Sequence, residues 1–318
     1  MSDGSHLLIP FASSRDEGCA AALATLALPH LEKLLARLVP GALDGGEETH
    51  LSMPCERVLA RACGLPDSDG RIPWAAWQVA QEGRPTLGAA WARITPCHWQ
   101  LGQDHVAMGH PDDLQLDARD SQSLLAAVRP YFEQDGIVLE YREPTLWLAR
   151  GEVFRELATA SLDRVVGRAV DDWISRAPEA RSLRRLQQEM QMLLYTHDVN
   201  EDRVRTARLP VNSFWVSGTG ALPEPPPSGP PPGLETTQSL REAALRGDWH
   251  RWAAAWQQLD DVDCAALLQR LDAGRGAAVT LCGDHAAQTW ESPAGPGLLR
   301  RLGSLFASKR AQVVLESL

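Results

Sequence analysis

A run of arginines before a glycine-rich segment is the part of the sequence best suited to chemistry. Arg203, Arg205 and Arg208 precede an apolar run that continues into Ser217-Gly218-Thr219-Gly220. Guanidinium groups bind phosphate oxygens in forked pairs, and the backbone N–H groups of a glycine turn point toward the same kind of anion. A tight turn without any ligand is the alternative. The residues predicted to bind an anionic ligand are Arg203, Arg205, Asn212, Gly218 and Gly220.

A second candidate is the pair Asp284-His285, which directly follows a predicted strand, residues 276–282. Catalytic groups in open α/β sheets collect at the carboxyl ends of strands. A carboxylate beside an imidazole can bind a divalent cation or move a proton. We therefore treat Asp284 and His285 as candidate metal or catalytic residues, with an ordinary strand-ending turn as the alternative.

Other reactive side chains give weaker patterns. Cys97, His98, His105 and His110 cluster around one predicted hairpin, but adjacent residues of a strand point to opposite faces and cannot easily bind one ion. Structural histidines are therefore the expectation here. The hydroxyls of Ser13, Ser14 and Ser217 have no obvious histidine and acid partners, so the sequence does not predict a hydrolase triad.

These residues need strands and helices to position them, and hydrophobic periodicity predicts both. A first strand covers residues 7–11, and a helical stretch at 20–39 is bent or divided at Pro29. An acidic, glycine-rich loop is predicted at 41–48. Further helices are predicted at 53–63, 73–81, 120–133 with Asp120 as its cap, and 178–196, and two hairpins at 91–108 and 137–149.

A proline-rich stretch, residues 223–232, interrupts the chain and predicts a semi-rigid linker. A ligand for a partner protein is the alternative role. We expect a main α/β region at 1–221, a linker at 222–236 and a helical C-terminal region at 237–318. That region contains one predicted strand, which we expect to join the main sheet because a single strand makes no sheet. Its last predicted helices are at 297–307 and 311–315.

Trp249, Trp252 and Trp256 share one face of a predicted helix. Such a stripe serves either as core or as a surface for a partner. Core packing is favoured, because burial of a helix face alone requires this spacing.

Composition excludes several classes of function. The chain has 318 residues, with 44% hydrophobic and 23% charged residues, which is ordinary for a globular protein. Its net charge of −10 argues against direct nucleic-acid binding. The six cysteines show no zinc or disulfide spacing, and no apolar run is long enough to span a membrane. We expect a cytoplasmic protein with no membrane association.

Several blocks of sequence resemble the RpfE-type regulatory proteins of proteobacteria, which are often labelled phosphoglycerate mutase. The resemblance covers most of the chain and implies a regulatory role. The matching blocks are residues 6–13, 72–78, 95–108, 161–168, 184–197, 211–220 and 279–284.

A fainter resemblance is to the archaeal-type cofactor-independent phosphoglycerate mutases. His197, Val199, Asn200 and Arg203 fit their HPVN-x-x-R segment, with Asp198 in place of the proline, and Gly283-Asp284-His285 resembles their TGDH metal motif. The metal-binding Asp-Gly of the family's first strand is replaced by Pro10-Phe11-Ala12, and its distal metal-binding run is missing. Ser52 lies in about the region of the family's nucleophile.

The resemblances imply an α/β fold of mixed layers: a degenerate alkaline-phosphatase-superfamily-like sheet flanked by helices. They also imply a non-catalytic or catalytically eroded regulatory protein with a protein partner or a small phosphorylated ligand. The alternative is mutase-like or phosphatase-like phosphoryl transfer. It would use Ser52, Asp284 and His285 and would require manganese or zinc, whereas the favoured function implies no cofactor. Either function predicts that the arginine segment and the Asp284-His285 pair meet at one rim of a shared sheet.

Overall fold

The computed structural model describes residues 4–102, 104–227, 229–293 and 311–318. The chain forms two compact units. The first unit comprises Met1–Thr49, Met53–Leu59 and Pro230–Leu318, and the second comprises His50–Ser52 and Ala60–Gly229.

Eleven strands and twelve α-helices are found among the described residues. The strands are β1 (Ser5–Ile9), β2 (Val39–Gly45), β3 (Trp91–Cys97), β4 (Trp99–Leu101), β5 (Val106–Met108), β6 (Val138–Glu143), β7 (Leu146–Arg150), β8 (Ser213–Gly220), β9 (Leu234–Thr236), β10 (Ala277–Cys282) and β11 (Ala286–Glu291). The helices are α1 (Glu17–Leu23), α2 (Pro29–Arg37), α3 (Pro54–Ala62), α4 (Trp74–Gln81), α5 (Ala118–Gln134), α6 (Leu162–Val165), α7 (Arg181–Tyr195), α8 (Asp198–Arg205), α9 (Arg241–Leu245), α10 (Trp249–Leu259), α11 (Ala265–Asp272) and α12 (Ala311–Glu316).

A five-stranded mixed sheet with the order β2-β11-β10-β1-β9 is the centre of the first unit. β1 pairs in parallel with both β9 and β10, and Ile9 lies opposite Leu281 in the register. β11 pairs antiparallel with β10 and with the edge strand β2. β1 and β10 therefore end at the same side of the sheet, and their following loops are neighbours.

Helices cover both faces of this sheet. Leucines of α2 and tryptophans of α10 pack with Ile9 and Leu281 in the larger core. Cys55 and Val58 of α3 pack against Leu8 on the opposite face. Because β1 and β10 are buried on both faces, their sequences are continuously apolar rather than alternating, which is typical of parallel strands.

The tryptophan stripe lies in this core. Trp252 and Trp256 are fully buried, and Trp249 is half-buried. The indole N–H of Trp252 donates to the Phe11 carbonyl at 2.9 Å, and that of Trp256 donates to the Ala12 carbonyl at 3.1 Å. The prediction of core packing is confirmed, and the same side chains fix the loop that follows β1.

The second unit is built on a four-stranded antiparallel sheet with the order β6-β7-β3-β8. α5 and α7 contribute Leu125, Phe132 and Leu186 to a core that also contains Ile94 and Phe214 of the sheet. A separate hairpin is formed by β4 and β5. The hairpin predicted at 137–149 is formed by β6 and β7. Of the hairpin predicted at 91–108, only β4 and β5 pair with each other, because β3 pairs with β7 and β8 instead.

Several sequence predictions are wrong, and non-local pairing is the reason. β8 pairs with β3, whereas β10 lies between β1 and β11, so the arginine segment and the Asp284-His285 pair belong to two different sheets. A strand has only two hydrogen-bonding edges, and both edges of β10 are occupied. The shared rim is therefore not formed.

Three smaller sequence predictions also differ from the structure. The predicted loop at 41–48 is largely strand β2, held by β11 despite its glycines. Asp117, not Asp120, caps α5, because its carboxylate accepts the Asp120 N–H at 2.8 Å. The C-terminal region supplies two strands, β10 and β11, rather than one, and β9 lies in the predicted linker. The predicted helix at 297–307 lies outside the described residues.

The mixed α/β class with helices flanking a mixed sheet is confirmed. None of the described helices has both the length and the apolar character required to cross a bilayer.

Candidate functional site

Arg203 lies on the short helix α8, near its carboxyl end, and its side chain is fully buried. Nε donates to the Leu209 carbonyl at 2.9 Å, Nη1 donates to Asp120 Oδ2 at 3.1 Å, and Nη2 donates to the Leu114 carbonyl. A buried guanidinium needs such partners, because its charge loses hydration. These contacts tie α8 to α5 and to the chain before it, and they do not present the guanidinium to a ligand.

The other predicted anion-binding side chains do not join Arg203. Arg205 is exposed and forms an ion pair with Asp202 at 2.8 Å within the same helix. Asn212 accepts the Trp99 N–H at 2.7 Å and donates to the Trp99 carbonyl at 2.9 Å. Asn212 therefore fixes the start of the β4–β5 hairpin, which is a structural role.

Gly218 and Gly220 lie inside strand β8 rather than in a turn after it. Both have positive φ, at 62° and 134°. A Cβ on Gly218 would lie 3.1 Å from the Trp74 Cβ, and one on Gly220 would lie 3.1 Å from the Pro73 Cβ. The glycines therefore permit the close approach of α4 to the sheet, which explains their positions without an anion.

The loops after β1 and β10 bring together groups of the first unit. Asp284 Oδ2 accepts the Arg15 N–H at 3.0 Å and the Ser14 hydroxyl at 3.2 Å, and Asp284 Oδ1 lies 3.2 Å from His285 Nδ1. Asp16 caps α1 by accepting the Gly18 N–H at 2.7 Å. This rim is the strand-end position that the sequence predicts for Asp284 and His285.

Ser52 belongs to the second unit, whereas Asp284 belongs to the first. Its hydroxyl accepts the Gly70 N–H at 2.8 Å, its own N–H donates to Asp69 Oδ1 at 2.8 Å, and its carbonyl accepts from Arg164 Nη2 at 3.3 Å. The residue is 3% exposed. Ser52 holds a turn, and its oxygen is not presented to solvent.

The Cys and His residues near the β4–β5 hairpin are not among the described groups that have metal-ligand spacing. Cys97 is buried, and burial raises the pKa of its thiol far above the usual range, with a hydrogen bond to Trp99 opposing part of the rise. His98 Nδ1 lies 2.8 Å from the Pro210 carbonyl, and His110 Nδ1 accepts the Asp112 N–H at 3.3 Å. The expectation of structural histidines fits these contacts.

A different group approaches metal-ligand geometry. His30, Asp260 and Asp261 are the only three described His, Cys, Asp or Glu residues whose ligand atoms all lie within 4.8 Å of one another. Asp260 is buried, and its two oxygens accept the backbone N–H groups of Leu31 and His30 at 2.7 and 3.0 Å. Asp260 thus caps α2, which has no side-chain cap of its own.

The second unit also contains an open cleft that the sequence did not reveal. It lies between the β4–β5 hairpin and α7, with a cavity volume of about 590 Å³. The hairpin contributes Trp99 and Leu101, and α7 contributes a stripe that ends at Tyr195. We refer to it as the hairpin cleft. Its volume is within the range of about 300–1,000 Å³ that ligand sites occupy.

Most polar groups of the hairpin cleft can donate hydrogen bonds, and Asp171 is the one carboxylate of its lining. Arg176, Gln188, Gln191 and Tyr195 form no side-chain hydrogen bond or ion pair with any residue that the structure describes. Arg184 uses Nη1 to donate to the carbonyls of Ser175 and Ala177, at 2.6 and 3.1 Å, which fixes the loop at one wall. The cleft is therefore pre-shaped, and several of its donors are free.

Large apolar side chains are exposed at the mouth of the same cleft. Leu101 is 87% exposed and Tyr195 is 84% exposed. The sequence carried one signal for this surface, because Gln188, Gln191 and Tyr195 recur at helical spacing on α7. The β4–β5 side of the cleft gave no such signal, since the hairpin and α7 are far apart in the sequence.

Comparisons with known proteins identify no family. No family model and no curated protein matches the chain. Two solved structures are similar along most of the chain. The cofactor-independent phosphoglycerate mutase from Thermoplasma acidophilum is 15% identical over 99% of this chain and 99% of its own, with a TM-score of 0.37. The PH0037 protein from Pyrococcus horikoshii is 10% identical over 93% of this chain and 89% of its own, with a TM-score of 0.47.

Proposed function

We propose that this chain is a non-catalytic interaction protein that binds a segment of a partner protein in the hairpin cleft. The observation that carries the proposal is the lining of the cleft. It combines exposed apolar and aromatic side chains with free donors, but contains no serine, threonine, cysteine or histidine among the described residues. These groups bind a polypeptide well, and they offer no hydroxyl nucleophile of serine or threonine, no thiol and no imidazole base.

The resemblance to RpfE-type regulatory proteins supports the same proposal, because a regulator needs a binding surface rather than a reaction. Exposed aromatic and arginine side chains are the types that dominate interface energies. Tyr195 and Arg176 are therefore the residues on which binding depends most. A small phosphorylated ligand, the other predicted partner, would use Arg176 and Arg184 in the same cleft.

Selection from a random peptide library displayed on phage, with the purified chain as the target, tests this function. Peptides recovered on the wild-type chain should bind Tyr195→Ala and Arg176→Ala at least about tenfold more weakly. Met192→Ala is the matched control, because Met192 is exposed on α7 but does not line the cleft. Equal binding to all variants would refute the proposal. Competition by 3-phosphoglycerate would indicate the small-ligand form instead.

One observation favours a second candidate function, which is phosphoryl transfer. Ser14, Asp284 and His285 meet at the carboxyl ends of β1 and β10, where phosphoryl-transfer enzymes of α/β type carry their sites. The residues there do not fit a two-ion manganese or zinc centre, because no third His, Cys, Asp or Glu among the described residues completes a ligand group with them.

Turnover of 3-phosphoglycerate in the presence of manganese decides between the two functions. We expect the wild-type chain to give no more product than manganese alone. Turnover that disappears in Asp284→Asn but persists in Asp260→Asn would establish the phosphoryl-transfer function and overturn the non-catalytic one.

A further inference from the structure

The chain itself contains a segment that complements the hairpin cleft. Seven of the ten residues at 223–232 are proline. Proline has no backbone N–H, so such a segment offers carbonyl acceptors and few donors. Six of these prolines are exposed: Pro223, Pro225, Pro226, Pro230, Pro231 and Pro232.

The hairpin cleft supplies the matching chemistry. Proline-rich segments in the polyproline II conformation bind grooves lined by aromatic side chains, which pack on the rings and donate to the carbonyls. Trp99 and Tyr195 are the aromatic residues of the cleft, and Gln188, Gln191 and Arg176 are its free donors. The Trp99 indole N–H is not one of these donors, because it is buried and its hydrogen-bond partner is the sulfur of Cys97.

In its own chain, residues 223–227 and 229 of the segment belong to the second unit, and residues 230–232 belong to the first unit. The Pro227 Cβ is 3.8 Å from the position that a Cβ on Gly64 would take, and a Cβ on Gly229 would lie 3.3 Å from Gln81 Oε1. No described residue of 223–229 lines the cleft. The segment is thus displayed on the surface while the cleft stays open to a second molecule. Glu224 is the only charged residue of the segment, and the cleft lining carries two arginines, Arg176 and Arg184, against one carboxylate, Asp171.

We infer that the occupant of the hairpin cleft is the proline-rich segment, residues 223–232, of a second copy of this chain. The inference rests on the proposed function, because it names the partner of the same cleft. Segment and cleft are different surfaces, so the contact is head-to-tail and can continue from copy to copy. The chain should therefore self-associate as its concentration rises.

A synthetic peptide of sequence PEPPPSGPPP, titrated into the purified chain by calorimetry, tests the recognition. A control peptide of equal length and charge carries alanine at every proline. We expect the first peptide to bind, the control to bind at least about tenfold more weakly, and Tyr195→Ala to lose the first peptide to a similar extent. Met192→Ala should bind as the wild type does. Circular dichroism confirms that each variant is folded.

Sedimentation velocity over a range of concentrations tests the second copy. The wild-type chain should gain mass with concentration. The chain with Pro225, Pro226, Pro231 and Pro232 replaced by alanine should not, and nor should Tyr195→Ala. A wild-type chain that stays monomeric at all concentrations would overturn the inference.

Failure of the inference and failure of the proposed function give different results. If library peptides bind through Tyr195 but PEPPPSGPPP does not bind, only the proline-rich occupant is refuted. If no peptide depends on Tyr195 or Arg176, both proposals fall.

Discussion

Arg203 provides the sharpest test of how the second unit is held together. If its guanidinium holds segments of the unit together through hydrogen bonds, Arg203→Met should destabilise the unit. If it is a surface ligand for phosphate, the same substitution should leave stability unchanged and remove phosphate binding. The structure favours the first result, since the side chain has no exposed surface.

The expected magnitude follows from its three contacts. Hydrogen bonds to charged groups contribute about 1.5–3 kcal/mol each, and an abandoned buried carbonyl costs about 1–3 kcal/mol. The buried Leu114 carbonyl loses its donor, whereas Asp120 keeps Arg208 at 3.2 Å and the half-buried Leu209 is partly accessible to water. We therefore expect a loss of about 3 kcal/mol, which is roughly a 150-fold change in the unfolding equilibrium.

Hydrogen exchange followed by mass spectrometry across a urea titration measures this loss for each unit separately. Peptides of the first unit serve as the internal reference, because Arg203 belongs to the second unit. Arg205→Met is the matched control on the same helix, and its exposed ion pair with Asp202 should leave the midpoint unchanged. A loss below about 1 kcal/mol for Arg203→Met would refute the reasoning.

Three further predictions concern backbone strain, acid sensitivity and thiol reactivity. Gly218→Ala should cost at least about 1 kcal/mol more than Gly83→Ala in urea unfolding, because both glycines have positive φ but only Gly218 lies against Trp74. Burial lowers the pKa of His6 by more than a nearby carboxylate raises it. As the pH falls, His6 of the unfolded chain therefore takes up a proton before His6 of the folded chain does. Stability of the first unit should therefore fall below about pH 6.5, and His6→Gln should reduce that pH dependence; an unchanged dependence would exclude His6 as the cause. Burial raises the pKa of Cys19 to about 11, so iodoacetamide at pH 8 should label Cys19 only after unfolding, and rapid labelling of the native chain would contradict this.

Local sequence signals predicted many individual elements correctly. Pro54 begins α3 and Gly64 follows its end, as the first-turn proline and the terminal glycine indicate. The amphipathic pattern predicted α7, and alternation predicted the β6–β7 hairpin. These signals act over a few residues, so they do not depend on where the rest of the chain lies.

The candidate site was harder to predict, because its decisive contacts join distant residues. Arg203 meets Asp120, which is 83 positions away, and nothing near Arg203 in the sequence indicates burial. In the sequence, Gly218 and Gly220 suggested a phosphate-binding turn, but the close approach of α4 explains why glycine occupies these positions. A glycine has several structural uses, and only the neighbour that it accommodates distinguishes them.

The sequence by itself determined the mixed α/β class, the core role of the tryptophan stripe, and the presence of Asp284 and His285 after a strand. The tertiary structure alone decided that β8 and β10 belong to different sheets, that Arg203 is an internal tie, and that a cleft opens beside Tyr195. The physical reason is that helix periodicity and turn chemistry are local, whereas strand pairing and the burial of charge depend on partners far along the chain.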